Sequence, residues 1–155
     1  QRGLEKIKTI GDAYMVVGGL EAGDTDHAPR TADLALDMIK AIEANEEARR
    51  VGLRARIGLH HGPLVAGLLG GSKSTYDVWG DTVNTASRFE SASLPGRINL
   101  SGDFAAQLRG EFELEPRGRI ALKGKGEMDA FFLGHRLTTA RHKSEHSFRI
   151  AAGNG

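Results

Sequence analysis

The chain has 155 residues, 39% hydrophobic and 26% charged, which is typical of one globular domain. Its 21 basic and 20 acidic residues leave a formal net charge of +1, so we expect no nucleic-acid partner. No apolar run approaches the roughly 18 residues of a membrane-spanning helix, so we expect no membrane contact from this segment. The lack of cysteine excludes disulfides and fits a cytoplasmic location. The chain begins with Gln1, so we expect a piece of a longer protein, which upstream segments could anchor to a membrane.

The first half is predicted to contain a hairpin, a helix and two strands. Branched and aromatic residues on both sides of Gly11-Asp12 predict a β-hairpin with its turn at that dipeptide. A helix with an apolar stripe is predicted to begin near Pro29 and to end in charged residues by Glu46. Alternation over residues 53–59 predicts a half-buried strand, and the apolar run at 64–69 predicts another.

The second half is predicted to contain one longer helix, one short helix and four strands. Residues 76–80 are predicted as a loop that leads into a helix after Asp81, with Val83, Ala86 and Phe89 facing inward. The remaining predicted elements are a short helix capped by Ser101 and strands at residues 97–100, 112–115, 120–122 and 129–133. This order predicts an α+β fold with a mostly antiparallel sheet covered by helices on one face.

The helix after Asp81 carries an amide and a guanidinium on one face. Asn84 and Arg88 are four positions apart, so both side chains point to the same side of a helix. Both side chains donate hydrogen bonds, and Arg88 is permanently cationic, so the pair suits an anionic group such as phosphate. Taken in isolation, the same spacing is also typical of a solvated helix face.

Three motifs occur in one order along the chain: residues 5–15 (EKIKTIGDAYM), 76–88 (YDVWGDTVNTASR) and 122–128 (LKGKGEM). Their sequence and spacing resemble the catalytic domain of class III nucleotidyl cyclases. On this resemblance we assign residues 1–136 to the catalytic domain and residues 137–155 to a tail. The implied fold is the ferredoxin-like cyclase palm in an N-terminally truncated form. The family domain begins upstream with a strand, helices and a Phe-x-Asp-x-x-Gly-Phe-type loop, which this chain does not contain.

The resemblance implies that Asp12 is the second of two metal-binding aspartates. A carboxylate suits Mg²⁺, which takes few protein carboxylates together with substrate phosphates. The family uses two Mg²⁺ per site, and Mn²⁺ can substitute for them. From the residues alone, Asp12 also reads as a turn aspartate. Because the first metal aspartate lies in the loop that is missing here, we expect the chain by itself to be inactive or nearly so.

The resemblance also assigns the substrate contacts. Lys8 and Asp77 occupy the positions that read the purine edge, where a Lys donor and an Asp acceptor complement N1 and N6 of adenine. Guanine offers the opposite pattern, so the implied substrate is ATP. Asn84 would orient the ribose, while Arg88 and Lys123 would stabilise charge on the phosphates.

The function implied by the resemblance is therefore adenylate cyclase, which converts ATP into 3′,5′-cyclic AMP and pyrophosphate. Both halves of the family's site occur on this one chain, so the expected assembly is a two-fold homodimer with two composite sites. Two alternatives stay open at this point. One is a non-catalytic cyclase-like module that regulates or pairs with another domain, and the other is a guanylate cyclase.

The adjacent histidines His60 and His61 are not predicted to form a metal site together. On a strand they would point to opposite faces and could not share an ion. In the family a small residue often stands at the position of His61, so we interpret this histidine as a tolerated loop substitution.

Overall fold

A computed structural model describes residues 3–70 and 75–138, and within them the chain forms an α+β fold, as predicted. No helix in this described part is both long and apolar enough to cross a bilayer. The elements in chain order are β1 (Leu4–Ile10), β2 (Ala13–Gly18), α1 (His27–Ala44), α2 (Glu46–Arg50), β3 (Ile57–Leu59), β4 (Val65–Leu69), β5 (Thr75–Trp79), α3 (Asp81–Ser91), β6 (Ile98–Ser101), α4 (Gly102–Gln107), β7 (Phe112–Leu122) and β8 (Gly126–Arg136).

The strands form three sheets, and antiparallel pairing predominates as predicted. The hairpins β1–β2 and β4–β5 are each a two-stranded antiparallel sheet. The central sheet has the order β3-β6-β8-β7, in which β3 and β6 run parallel and the other pairs run antiparallel. The predicted tail falls almost entirely at residues 139–155, which lie outside the described residues.

The main core lies between α1, α4 and the central sheet. On α1 the buried residues are small, namely Ala28, Pro29, Ala32 and Ala35. Small side chains allow the helix to approach the sheet closely, so the alanines make the tightest contact and the larger residues of the predicted stripe are only partly buried. The core cluster is completed by Leu59, Ile98, Leu100, Phe104, Leu108, Phe112 and Leu133.

Three predicted elements between α1 and the β4–β5 hairpin had wrong boundaries. The charged residues after α1 form a second helix, because the Asn45 side chain caps it by accepting a hydrogen bond from the Ala48 amide at 2.8 Å. The strand predicted at 53–59 is limited to Ile57–Leu59, opposite the short strand β6. The loop predicted at 76–80 is strand β5 up to Trp79, since β4 provides an antiparallel partner for it.

Two further predictions need correction. The helix α3 buries Thr82, Thr85 and Phe89, whereas Val83 and Ala86 are only partly buried. Burial of the threonines is possible because each hydroxyl donates to a backbone carbonyl, that of Pro63 for Thr82 and that of Asp81 for Thr85. The two strands predicted at 112–115 and 120–122 form one strand, β7, with a bulge near Pro116.

Helix α3 packs very closely on strand β3, and Gly58 makes this possible. A Cβ atom at Gly58 would lie 2.1 Å from the Glu90 amide nitrogen and 2.4 Å from the Ala86 carbonyl oxygen. The buried Asn99 side chain fixes the same helix by donating from Nδ2 to the Phe89 carbonyl at 2.8 Å. The glycine and the amide therefore set the position of the helix that carries Asn84 and Arg88.

We expect Gly58→Ala to destabilise the domain by about 1–3 kcal/mol, the usual cost of overpacking a tight contact. The added methyl group would meet backbone atoms of α3, which cannot move aside as a flexible side chain does. Urea denaturation would measure the loss. Gly67→Ala is the matched control, because its nearest new contact is a Trp79 ring atom at 3.4 Å. Equal stability of the two variants would contradict this account of the contact.

Candidate active site

Strands β1 and β5 bring Lys8 and Asp77 into direct contact, although the two residues are 69 positions apart in sequence. The Lys8 ammonium (Nζ) donates to Asp77 Oδ2 at 2.8 Å, and Asp77 Oδ1 accepts from the Val78 amide at 2.8 Å. Asp77 is only 9% exposed, whereas the Lys8 side chain is 39% exposed. The pair is therefore a fixed carboxylate with a partly accessible cation beside it.

The charge state of Asp77 follows from these contacts. The hydrogen bond from Lys8 lowers the pKa of Asp77, and the bond from the Val78 amide lowers it further, while burial acts in the opposite direction. Asp77 is thus anionic at neutral pH and acts as an acceptor. Lys8 has three N–H donors and uses one on Asp77, so the pair presents both a donor and an acceptor to a ligand.

Helix α3 carries the next two candidates immediately after β5. Gly80 links strand to helix with a φ of 132°, a conformation that residues other than glycine rarely adopt. Asn84 and Arg88 both lie within α3, so they share one face as predicted. Asn84 is exposed and Arg88 is half-buried, and neither side chain has a hydrogen bond or ion pair with another described residue. Both are available to a ligand.

The turn between β7 and β8 is held against the start of α3. Lys125 forms an ion pair with Asp81, the first residue of the helix. Lys123 lies in the same turn, is exposed, and has no side-chain partner among the described residues. The sequence does not predict the Lys125–Asp81 pair, because an acidic residue in the first turn of a helix is favoured by the helix dipole with or without a cation nearby.

Asp12 lies at the turn of the β1–β2 hairpin, after Gly11 with its φ of 60°. Its carboxylate is exposed and makes no hydrogen bond or ion pair with the described residues, so it could accept a hard cation such as Mg²⁺. Within the described ranges no three His, Asp or Glu side chains are grouped to hold a metal ion. Among the described residues, Asp12 has no hydrogen bond or ion pair with the other five candidates.

The histidines of the β3–β4 loop point in different directions, in line with the prediction for His60 and His61. His60 Nδ1 lies 2.8 Å from the Ser101 hydroxyl oxygen, and its ring stacks on Phe89. His61 instead stacks on His27, with ring centroids 5.4 Å apart. His61 lies in a loop, as the sequence interpretation stated, and its contact with His27 joins residues 34 positions apart, so no local signal predicts it.

We expect the domain to lose stability as the pH falls below the ordinary histidine value of 6.5. Burial lowers the pKa of both His60 and His61, so the unfolded chain takes up protons in this window before the folded chain does. The free energy of unfolding should therefore fall from about pH 7 to about pH 5.5. Urea denaturation at both values would measure this change.

The double variant His60→Gln, His61→Gln should reduce that pH dependence. His135→Gln is the control, because His135 is exposed on β8. An unchanged pH dependence in the double variant would show that other groups cause it.

Comparison with known proteins gives matches to cyclases of both nucleotide classes. Residues 1–135 match the family model described as the adenylate and guanylate cyclase catalytic domain. An adenylate cyclase of Mycobacterium tuberculosis (strain ATCC 25618 / H37Rv) is 44% identical over 140 residues, which cover 90% of this chain and 32% of that protein. Guanylate cyclase soluble subunit beta-2 of Rattus norvegicus is 45% identical over 130 residues, which cover 83% of this chain and 19% of that protein.

A solved structure shares the fold. The guanylate cyclase domain of RhGC from Catenaria anguillulae, determined in complex with GTP, has a TM-score of 0.78 and 39% identity, covering 88% of this chain and 75% of that chain. The chain thus spans about a third or less of the length of the two curated relatives and three quarters of this domain. With the family model matching nearly the whole chain, the protein belongs to the adenylate and guanylate cyclase catalytic domain family.

Proposed function

We propose that this domain is an adenylate cyclase, which converts ATP into 3′,5′-cyclic AMP and pyrophosphate in the cytoplasm. The observation that carries the proposal is the contact between Lys8 and Asp77. Adenine has an acceptor at N1 and a donor at N6, and a lysine beside an aspartate supplies the complementary donor and acceptor. Guanine bound in the same orientation would place its N1–H donor against the lysine and its O6 acceptor against the aspartate, so both contacts would be mismatched.

The other candidates have roles at the sugar and the phosphates. Asn84 would hold the ribose so that its 3′-oxygen can attack the α-phosphorus in line with the leaving pyrophosphate. Arg88, on the same face of α3, would donate to phosphate oxygens as negative charge develops there. Lys123 would contact the phosphates from the neighbouring turn, which the Lys125–Asp81 pair holds near the start of α3.

Asp12 is the residue that would hold Mg²⁺, or Mn²⁺ in its place. When bound, the metal ions would lower the pKa of the ribose 3′-hydroxyl and neutralise charge on the triphosphate. Asp12 supplies one of the two expected metal aspartates. Activity is therefore to be measured on the domain extended at its N-terminus by the aspartate loop that the family carries before this hairpin. We refer to that form as the loop-extended domain.

We further propose that the active unit is a homodimer with two composite sites. Six large apolar side chains of the two hairpins are 37–70% exposed in the single chain. Strand β1 contacts strand β5, so these side chains belong to adjoining hairpins. An apolar surface of this kind is typical of a protein interface, and a two-fold axis would bury it against its own copy. The six residues are Ile10, Tyr14, Val65, Leu68, Leu69 and Trp79.

Complementation between two inactive variants tests this function. Asp12→Asn and Arg88→Ala should each abolish nearly all cyclic AMP formation by the loop-extended domain. An equal mixture should recover about a quarter of the normal activity, because half of the dimers are mixed and each mixed dimer has one intact site of two.

The result also distinguishes the remaining alternatives. A non-catalytic module would give no product in the unchanged protein, and a guanylate cyclase would give cyclic GMP in preference to cyclic AMP. If the unchanged protein is active but the mixture of the two variants recovers no activity, each site is built from a single chain.

A further inference from the structure

Two histidines outside the candidate active site lie close together. His27 is the first residue of α1, and His61 lies in the loop between β3 and β4. His27 Nε2 and His61 Nδ1 are 3.5 Å apart, and the ring centroids are 5.4 Å apart. Neither residue has a hydrogen bond, ion pair or ring contact with Lys8, Asp77, Asn84, Arg88 or Lys123.

This separation fits two imidazoles that share a tetrahedral metal ion. Zn–N bonds of about 2.0–2.1 Å at the tetrahedral angle would place the two nitrogens about 3.3–3.4 Å apart. The observed distance of 3.5 Å needs an adjustment of only a few tenths of an ångström. The two nitrogens are therefore already at the spacing that an ion would require.

The His27 ring is oriented for such a role. Its Nδ1 lies 2.7 Å from the Asp24 carbonyl oxygen, which can only accept, so Nδ1 carries the proton. In the neutral ring Nε2 is then the unprotonated nitrogen, and its lone pair lies on the side of His61 Nδ1, from which it can accept a hydrogen bond when no metal is bound. Metal-binding histidines are commonly oriented by this kind of hydrogen bond from the other ring nitrogen. Gly19 leaves room for the ring, since a Cβ atom there would come within 2.9 Å of it.

His61 is favoured in the neutral form that binds metals. Burial lowers its pKa, and the neighbouring His27 lowers it further, while Asp103 acts in the opposite direction. The Asp103 carboxylate that opposes this shift would also attract a cation to the pair. Imidazole nitrogens suit Zn²⁺, Cu²⁺ or Ni²⁺, whereas Mg²⁺ prefers oxygen.

We propose that His27 and His61 form a binding site for one divalent transition metal ion of the Zn²⁺ class. No third His, Asp or Glu of the described residues is placed to join them, so water would complete the coordination. The ion would tie the start of α1 to the loop after β3. The second loop also contacts α3, where Thr82 donates to the Pro63 carbonyl. The proposal is independent of the nucleotide that the domain uses.

Titration of the 155-residue chain with Zn²⁺ by isothermal titration calorimetry tests the site, with excess Mg²⁺ present throughout. The sequence has two further histidines in its tail, so the double variant His142→Gln, His146→Gln serves as one control. His135→Gln serves as the other. We expect one Zn²⁺ per chain, unchanged affinity in both controls, and at least a tenfold loss of affinity in His27→Gln and in His61→Gln.

Two results would overturn the proposal. One is binding that persists at full affinity in both His27→Gln and His61→Gln, and the other is binding that disappears in the tail variant. If His27→Gln fails to fold by circular dichroism, His61→Gln decides the question, because His61 lies in a loop. As a second measurement, saturating Zn²⁺ should raise the Tm of the unchanged chain and leave that of His61→Gln unaltered. An equal rise in both would also exclude the site.

Discussion

Arg88→Ala is expected to lower kcat of the loop-extended domain by about 10²–10³, with a much smaller effect on ATP binding. The guanidinium is half-buried and has no ion-pair partner among the described residues, so its charge is available to the substrate. A contact that strengthens as charge builds on the phosphates lowers the barrier more than it tightens ATP binding. Steady-state kinetics and equilibrium binding of ATP would separate the two effects.

Arg56→Ala is the matched control for this variant. Arg56 also contacts α3, through a 3.1 Å ion pair between its Nε and Glu90 Oε1, but it is outside the proposed site. We expect near-normal turnover in Arg56→Ala. Arg88→Lys should retain partial activity, because lysine keeps the positive charge but lacks the paired N–H donors of the planar guanidinium. Normal turnover in Arg88→Ala would mean that Arg88 is simply a solvated helix residue.

Exchange of Lys8 and Asp77, the proposed purine-reading pair, should have an effect of similar size on substrate choice. The double variant Lys8→Glu, Asp77→Cys replaces the donor with an acceptor and removes the buried carboxylate. Each mismatched polar group costs about 1–3 kcal/mol, so two independent mismatches would change the preference by about 10²–10⁴. We expect kcat/KM to fall for ATP and to rise for GTP.

Lys6→Glu provides the control for the exchange. Lys6 is on the same strand, but its ammonium lies over the Tyr14 ring at 4.9 Å, away from Asp77. The same charge reversal at this position should leave the ratio of the two kcat/KM values unchanged. If the exchange of Lys8 and Asp77 also leaves the ratio unchanged while activity survives, these residues do not read the base.

Much of the local structure was predictable because it depends on nearby residues. The Gly11-Asp12 turn and the Ser101 cap of α4, whose hydroxyl accepts from the Phe104 amide at 3.1 Å, follow from chemistry within a few positions. The prediction that Asn84 and Arg88 share one face likewise depended only on α3 being a helix.

Features that depend on distant partners were not predictable. The branched and aromatic residues of β5 are compatible with a strand, but its pairing with β4 was needed to distinguish a strand from a loop. The contact of His27 with His61 joins residues 34 positions apart. The close approach of α3 to Gly58 is a further case, because a glycine in a strand has several explanations until its neighbours are known. Likewise, the resemblance predicted a common role for Lys8 and Asp77 at the purine, but only the fold placed the two side chains in contact.

The central claim is that the domain selects ATP, and the most direct test is kcat/KM for ATP and for GTP in the unchanged loop-extended domain with Mg²⁺. The Lys8–Asp77 contact predicts a preference for ATP of at least about 10², with cyclic AMP and pyrophosphate formed in equal amounts. Equal use of the two nucleotides, or a preference for GTP, would contradict the assignment.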